Sequence, residues 1–119
     1  MTLVDQDEGA LEFANERLRK AALHAGVALN LRCLHIAFRD LLASPALLSE
    51  MSGQDLIYAS GFYDYLPQAV GAFLTEHLFN LLGAGGRMLI GNAADTPGIR
   101  WVPELILDWR MIYRTPGQM

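Results

Sequence analysis

The sequence predicts an α/β fold, in which a parallel sheet carries helices on both faces. Two observations predict it: short apolar runs alternate with longer stretches, and those stretches repeat apolar residues at helical spacing. Parallel strands are joined by helical crossovers, and ligands of such sheets bind at the carboxyl ends of the strands. Functional residues are therefore expected directly after each predicted strand.

The first half of the chain predicts two strands joined by one long helix. A short strand at 2–4 leads into a helix that Asp7 caps and that ends at Gly26. The apolar run 31–37 predicts the second strand, in which Cys33 is expected to be a buried thiol. A short helix is predicted at 41–51, interrupted at Ser44 and Pro45 because proline suits a first helical turn.

The second half of the chain predicts two more strands that flank a helix. In order, it predicts a strand at 55–60, a helix from Pro67, a strand at 87–92, a loop at 93–100 with a turn at Pro97 and Gly98, and an amphipathic segment at 102–113. The glycine-rich stretch 83–86 is predicted to be a turn. A phosphate loop follows a strand and opens a helix, whereas this stretch follows a helix and precedes a strand.

Composition limits the class of protein. The 119 residues, 52% of them hydrophobic and 18% charged, predict one globular domain over 1–119 and exclude disorder. The net charge of −4 argues against a nucleic-acid-binding protein, which would show a basic face. The chain lacks the run of about 18 apolar residues that a membrane span needs. A single cysteine and an acidic N-terminus without a signal peptide predict a cytoplasmic location.

Two acidic residues follow the first two predicted strands. Asp5 ends the first strand directly before a helix, where a carboxylate of a nucleotide-binding sheet accepts hydrogen bonds from both ribose hydroxyls. The alternative is that Asp5 and Asp7 only cap the helix. Asp40, beside Arg39, follows the second strand and could accept from the exocyclic amine of adenine, or it could belong to an ordinary polar turn.

The segment after the third predicted strand is the richest in polar and aromatic residues. Ser60 and Gly61 end the strand, and aromatic side chains surround Asp64 before the next helix, as in a substrate pocket. The alternative places the aromatic residues in the core and makes Asp64 a helix cap. The segment 101–114, which contains Trp101 and Trp109 as well as arginines, suits either a lid over an acidic substrate or a packing surface. No spacing of histidine, cysteine or acidic residues supports a metal site.

Taken in order, these segments resemble a class I S-adenosylmethionine-dependent methyltransferase. Four segments carry the resemblance: 3–11, 38–42, 55–61 and 82–92. Within that superfamily, Phe-Tyr-Asp-Tyr-Leu at 62–66 and Asp-Trp-Arg-Met-Ile-Tyr-Arg at 108–114 are similar to a bacterial group linked to the synthesis of hydroxy fatty acid methyl esters. The resemblance implies a Rossmann-like sheet, S-adenosylmethionine as cofactor and a small-molecule substrate.

The resemblance also implies roles for individual residues. It makes Asp5 the ribose-binding acid, and it assigns the adenine ring to the Asp40 carboxylate and the Leu41 amide. Ser60 and Gly61 would lie beside the methionine part of the cofactor. The residues implied to act in catalysis are Tyr63 and Asp64, and those implied to bind substrate are Tyr65, Asn92, Tyr113 and Arg114. A substrate oxygen, for example that of a hydroxy fatty acid carboxylate, would attack the sulfonium methyl group, with proximity and alignment dominating catalysis.

The sequence departs from this family in what it lacks. The family's central first strand, its Gly-x-Gly loop and its last two strands have no counterpart in the 119 residues, which predicts a partial, truncated methyltransferase-like domain. We therefore expect weak cofactor binding. We also expect that the second and fourth strands of the family either pair directly or receive a strand from a second copy. Exposed apolar surface would then make the chain self-associate as a homo-oligomer.

Two other functions are compatible with the same residues. The chain could be a non-catalytic methyltransferase-like remnant that acts as an assembly or binding module through 101–113. It could also be a nicotinamide-dependent enzyme, because an acid after the second strand of that fold binds ribose as well. The second alternative is the weaker one, since the sequence contains no Gly-x-Gly-x-x-Gly motif.

Overall fold

The computed structural model describes residues 1–96, 98 and 100–119. The described chain divides into two compact units, Met1–Leu48 (unit 1) and Ser49–Met119 (unit 2). Each unit contains one pair of parallel strands. The turn predicted at Pro97 falls partly outside the described residues.

Unit 1 begins with a strand, a long helix and a second strand. Their bounds are Thr2–Asp5 for β1, Glu8–Ala25 for α1 and Arg32–His35 for β2. Both predicted caps of α1 are confirmed: Asp7 accepts a hydrogen bond from the Ala10 amide at 3.1 Å, and Gly26 has the left-handed φ of 63°. A left-handed residue after the last turn favours glycine, because a Cβ there is strained.

The predicted interruption at Pro45 is also confirmed. Helix α2 spans Phe38–Leu42, and α3 spans Pro45–Glu50, so the break falls between them. However, α2 begins at Phe38, three residues before the predicted start at Leu41. The residue that precedes the helix, Ala37, still has extended backbone geometry.

Strands β1 and β2 pair in parallel, and α1 packs against both of them. The register aligns Thr2 with Arg32 and Asp5 with His35, so Asp5 lies at the carboxyl end of this sheet as predicted. The prediction of a buried Cys33 is wrong, because its thiol is free and exposed. Successive side chains of a strand point to opposite faces of the sheet. In β2, Leu34 is half-buried on one face, whereas Cys33 and His35 on either side of it are exposed.

Unit 2 also has a strand, a helix and a parallel strand. These are β3 at Gln54–Ala59, α4 at Gln68–Phe79 and β4 at Leu82–Ile90. A 3₁₀ turn at Tyr63–Tyr65 lies between β3 and α4. The predicted amphipathic segment 102–113 forms only one short π-helical turn, Val102–Ile106.

The glycine-rich stretch 83–86 is not the turn that the sequence predicts. It lies inside β4, where the register jumps from Gln54 paired with Leu82 to Leu56 paired with Arg87. The extra residues on β4 are therefore accommodated as a bulge. A Cβ on Gly86 would lie 2.5 Å from the Gln54 carbonyl oxygen, so only glycine allows this close approach of the two backbones.

One face of the β3–β4 sheet is covered and the other is open. Ile57 and Met88 are half-buried on the covered face, and α4 contacts β4. On the opposite face Leu56, Tyr58 and Leu89 are exposed by 55%, 69% and 55%. The prediction of helices on both faces therefore does not hold for this sheet.

The molecule is thus a mixed α/β structure with small parallel sheets. The described strands form two sheets of two strands each, β1–β2 and β3–β4. In each sheet the two strands are connected through a helix, α1 in the first and α4 in the second. Within the described residues, no helix is both long enough and apolar enough to cross a membrane.

Candidate functional site

Polar residues of unit 2 gather beyond the carboxyl ends of β3 and β4. Backbone hydrogen bonds join three segments there: the Ile112 amide donates to the Asp64 carbonyl at 2.7 Å, and the Arg114 amide donates to the Ala93 carbonyl at 3.0 Å. Ala94 and Arg114 form an isolated parallel bridge. The structure therefore brings together six predicted site residues, which we call the polar cluster: Tyr63, Asp64, Tyr65, Asn92, Tyr113 and Arg114.

Arg114 is the most highly connected side chain of the polar cluster, and it is only 5% exposed. Its Nε donates to Gln68 Oε1 at 2.9 Å, and its Nη1 donates to the Tyr63 carbonyl at 2.8 Å. Nη1 also donates to Asn92 Oδ1, and Nη2 donates to the Leu66 carbonyl. All four acceptors are neutral, so the guanidinium ties the segments after β3 and β4 to the start of α4.

Asp64 is a buried carboxylate, 7% exposed, in the 3₁₀ turn that follows β3. Its Oδ1 accepts a hydrogen bond from the Ala93 amide at 2.5 Å. Its Oδ2 lies 4.0 Å from the position that a Cβ would take on Gly61, which has a φ of 72°. The second carboxylate oxygen thus faces the end of β3, at a glycine whose backbone conformation disfavours any side chain.

Two tyrosines of the polar cluster are buried, with different surroundings. The hydroxyl of Tyr63 forms a 3.0 Å hydrogen bond with Thr75 Oγ1, and burial raises the pKa of this phenol although that bond opposes the rise. The Tyr113 hydroxyl is buried without a hydrogen-bond partner among the described residues. Burial raises the pKa of Tyr113, the charges of Glu104 and Asp64 add to this, and Arg100 opposes it. Both phenols therefore keep their protons at neutral pH.

Two predicted residues of unit 2, Tyr65 and Ser60, lie at the solvent-exposed edge of the polar cluster. Tyr65 is 49% exposed and accepts a hydrogen bond from Trp109 Nε1. Ser60 is exposed and follows β3 directly, and a Cβ on Gly91 would lie 3.4 Å from its Oγ. Because Gly91 carries no side chain, the ends of β3 and β4 can approach closely here, and the Gly91 amide donates to the Ala59 carbonyl at 2.8 Å.

Unit 1 holds the other three predicted residues. Asp5 is exposed, and its Oδ1 accepts from the Asp7 amide at 2.9 Å. Asp40 has a side chain that is 59% exposed, with Oδ1 3.4 Å from Nε of Arg39. The Leu41 side chain is buried, and its amide donates to the Ala37 carbonyl at 3.0 Å. Asp5 and Asp40 thus offer exposed carboxylates, whereas the Leu41 amide is already used within α2.

Sequence patterns did not identify two residues that support the polar cluster. Gln68 accepts from Arg114, and Thr75 bonds to Tyr63 and donates to the Gly71 carbonyl at 2.8 Å. Positions 68, 71 and 75 share one face of α4, since residues three and four apart are neighbours on a helix. A stripe of small and polar residues on that face was the available signal.

Comparison with known proteins gives no match: no family model fits the sequence, and no curated protein and no solved structure is significantly similar to the chain. Chemically, the polar cluster offers a carboxylate acceptor in Asp64, a phenol donor in Tyr113 and a fixed positive charge in Arg114.

Proposed function

We propose that this chain is a class I S-adenosylmethionine-dependent methyltransferase, with a hydroxy fatty acid or a similar small acid as the methyl acceptor. The observation that supports this most directly is the placement of Asp5. Its carboxylate ends β1, is exposed, and is oriented by the Asp7 amide immediately before α1. Two carboxylate oxygens at this place match the two hydroxyls of a ribose.

The residues of unit 1 fit a nucleoside, with one exception. The Asp40 carboxylate is exposed and can accept a hydrogen bond from an exocyclic amine. The Leu41 amide donates to Ala37 and would have to leave that bond to reach a ring nitrogen. In this proposal Asp5 and Asp40 therefore carry nucleoside recognition.

The residues of the polar cluster fit a substrate that bears a hydroxyl group. When bound, the cofactor supplies an activated methyl group, so a carboxylate acceptor needs no general base. Asp64 Oδ2 can accept a hydrogen bond from a hydroxyl, and the Tyr113 phenol, which stays protonated, can donate one. These two side chains would orient the acceptor, which is the contribution that dominates this type of catalysis.

Asp5→Asn is expected to weaken binding of S-adenosylmethionine about tenfold, because an amide loses the charge and one of the two acceptor oxygens. The side-chain oxygen of the new asparagine could still accept from the Asp7 amide, so the local turn should persist. We expect the parent chain to bind more weakly than micromolar, since the Asp5 carboxylate is exposed and water competes for it. A chemical-shift titration to millimolar cofactor measures both affinities.

Asp7→Asn is the matched control for that titration. It removes the same charge two residues away, at the cap of α1, where asparagine is as good as aspartate. Equal weakening by both substitutions would show that only net charge matters, and absence of any binding to the parent chain would refute the proposed cofactor. Transfer of a labelled methyl group to a panel of long-chain hydroxy acids then tests the reaction.

The exposed apolar residues of the segment 101–113 support a second candidate, an assembly module that binds a second copy. Trp101, Leu105, Ile106 and Trp109 are exposed by 55%, 81%, 62% and 49%. These exposed apolar side chains lie close together in sequence, and exposed apolar surface that is contiguous marks an interaction site. The edges of each two-stranded sheet offer a further place for a strand of a second copy. We also propose a cytoplasmic location, where the free and exposed Cys33 stays reduced.

Self-association is expected in sedimentation velocity, as a sedimentation coefficient that rises with protein concentration. The double substitution Leu105→Lys and Ile106→Lys should shift this rise to at least about tenfold higher concentration, because buried charge opposes association. Leu23→Lys, at an equally exposed leucine of α1, is the control and should change little. A coefficient of the parent chain that is independent of concentration would rule out the assembly module.

A further inference from the structure

A cavity of about 400 Å³ lies between α4 and the C-terminal residues of unit 2. Ala72, Phe79 and Ile90 supply apolar wall, and Arg114 lies in the wall near the start of α4. This volume falls in the range of about 300–1,000 Å³ that is usual for small-molecule sites. The cavity is therefore large enough for a ligand, and it combines an apolar wall with one fixed charge.

The charge of Arg114 has no ion-pair partner among the residues that the structure describes. No carboxylate among the described residues forms an ion pair with this 5% exposed guanidinium. Its four hydrogen bonds all go to neutral oxygens. A guanidinium has five N–H donors, so one N–H of Nη2 remains beyond these four bonds. Nη2 lies 4.0 Å from the position that a Cβ would take on Gly71, slightly farther than two ring carbons of Tyr63.

A buried cation that meets only neutral acceptors is poorly compensated for the water it has lost. A carboxylate is the ligand group that corrects this best, because charge-assisted hydrogen bonds to a guanidinium are short and strong. Gly71 leaves the approach to Nη2 open, since a side chain at this position would contact both Tyr63 and Arg114. Ala72 and Phe79 also line the cavity.

We propose that this cavity binds an aliphatic carboxylic acid, with its carboxylate on Arg114 Nη2 and its hydrocarbon chain against Ala72, Phe79 and Ile90. The exposed carboxylate of Glu76 also lines the cavity, so it repels the acid and limits the affinity. The choice of an acid as ligand rests on the proposed function, because the proposed methyl acceptor is of the same class, whereas binding at this cavity requires neither the cofactor nor methyl transfer.

Octanoate is the probe that tests this site in a calorimetric or chemical-shift titration without cofactor. We expect saturable binding, at least about tenfold tighter than that of 1-octanol or acetate, because only octanoate has both the charge and the chain. Equal binding of octanol would reduce the site to an apolar cavity. Absence of saturable octanoate binding below its micelle concentration would overturn the proposal.

Gly71→Ala separates the ligand site from the stability of the fold. The added methyl group would lie 3.5 Å from Tyr63, an ordinary contact, and alanine favours the helix, so the melting temperature should not fall. The same methyl group narrows the approach to Nη2 and should weaken octanoate binding about tenfold. Unchanged binding in this variant would place the carboxylate elsewhere and contradict the proposal.

Glu76→Gln is expected to act in the opposite direction. It removes the repelling charge from the cavity wall and should tighten octanoate binding about two- to threefold, a modest gain because the group is exposed. Glu12→Gln makes the same change of net charge on the exposed surface of α1 and should have no effect. An equal gain in both variants would mean that net charge, and not this cavity, determines the affinity.

Discussion

Arg114→Ala is expected to lower the free energy of unfolding by about 3 kcal/mol, a large effect for a single substitution. The substitution leaves the carbonyl oxygen of Leu66 without its donor and removes the partners of Gln68 and Asn92, whereas the Tyr63 carbonyl keeps its bond from the Leu66 amide. Each buried acceptor left unsatisfied costs about 1–3 kcal/mol. Urea unfolding followed by circular dichroism measures the change.

Arg110→Ala is the matched control for this measurement. Its side chain is 89% exposed and lies 4.0 Å from Asp108, so its removal should change stability by less than about 0.5 kcal/mol. Arg114→Lys should behave more like the alanine variant, because one ammonium group cannot reach acceptors on several sides of the guanidinium. A loss below about 1 kcal/mol for Arg114→Ala would contradict the buried network.

Local signals predicted the elements of this chain well where a residue type has a physical role at the end of an element. Asp7 and Gly26 delimit α1 because a side-chain oxygen satisfies a free amide at one end, and a residue without Cβ adopts positive φ at the other. Pro45 likewise begins α3 because the first turn does not need its missing N–H. Such roles depend on neighbours in sequence, so the sequence suffices.

Features that depend on distant residues were predicted less well. The stretch 83–86 resembles a turn in composition, but its partner is β3, and only the pairing of Leu82 with Gln54 reveals a bulge. Cys33 belongs to an apolar run, yet its exposure depends on what covers β2. In both places the deciding contact lies outside the local window.

The polar cluster shows the same division. The sequence singled out Asp64 as a carboxylate after a predicted strand, and the family resemblance added Asn92 and Arg114 as substrate-binding residues. It did not indicate that Arg114 would be held by the carbonyl groups of Tyr63 and Leu66, since backbone acceptors carry no signature in residue type. The geometry makes Arg114 an organising residue of the cluster, whose one remaining N–H points to a ligand role as well.

Leu74→Ala is the second substitution with a large expected effect, a loss of about 2–5 kcal/mol in the free energy of unfolding. Leu74 is 1% exposed, the most buried side chain among the described residues, and it lies on α4, the helix that packs against β4. Its truncation removes apolar contacts and leaves a cavity that a two-stranded sheet and one helix can only partly close.

Leu23→Ala provides the comparison, because it makes the same change within a helix at a side chain that is 81% exposed, and it should cost less than about 0.5 kcal/mol. Urea unfolding of both variants at low protein concentration measures the difference without self-association. Equal small losses would mean that α4 is not packed on its sheet in solution. Since α4 also carries Gln68, Gly71 and Thr75, the polar cluster and the proposed carboxylate site would then lose their support together.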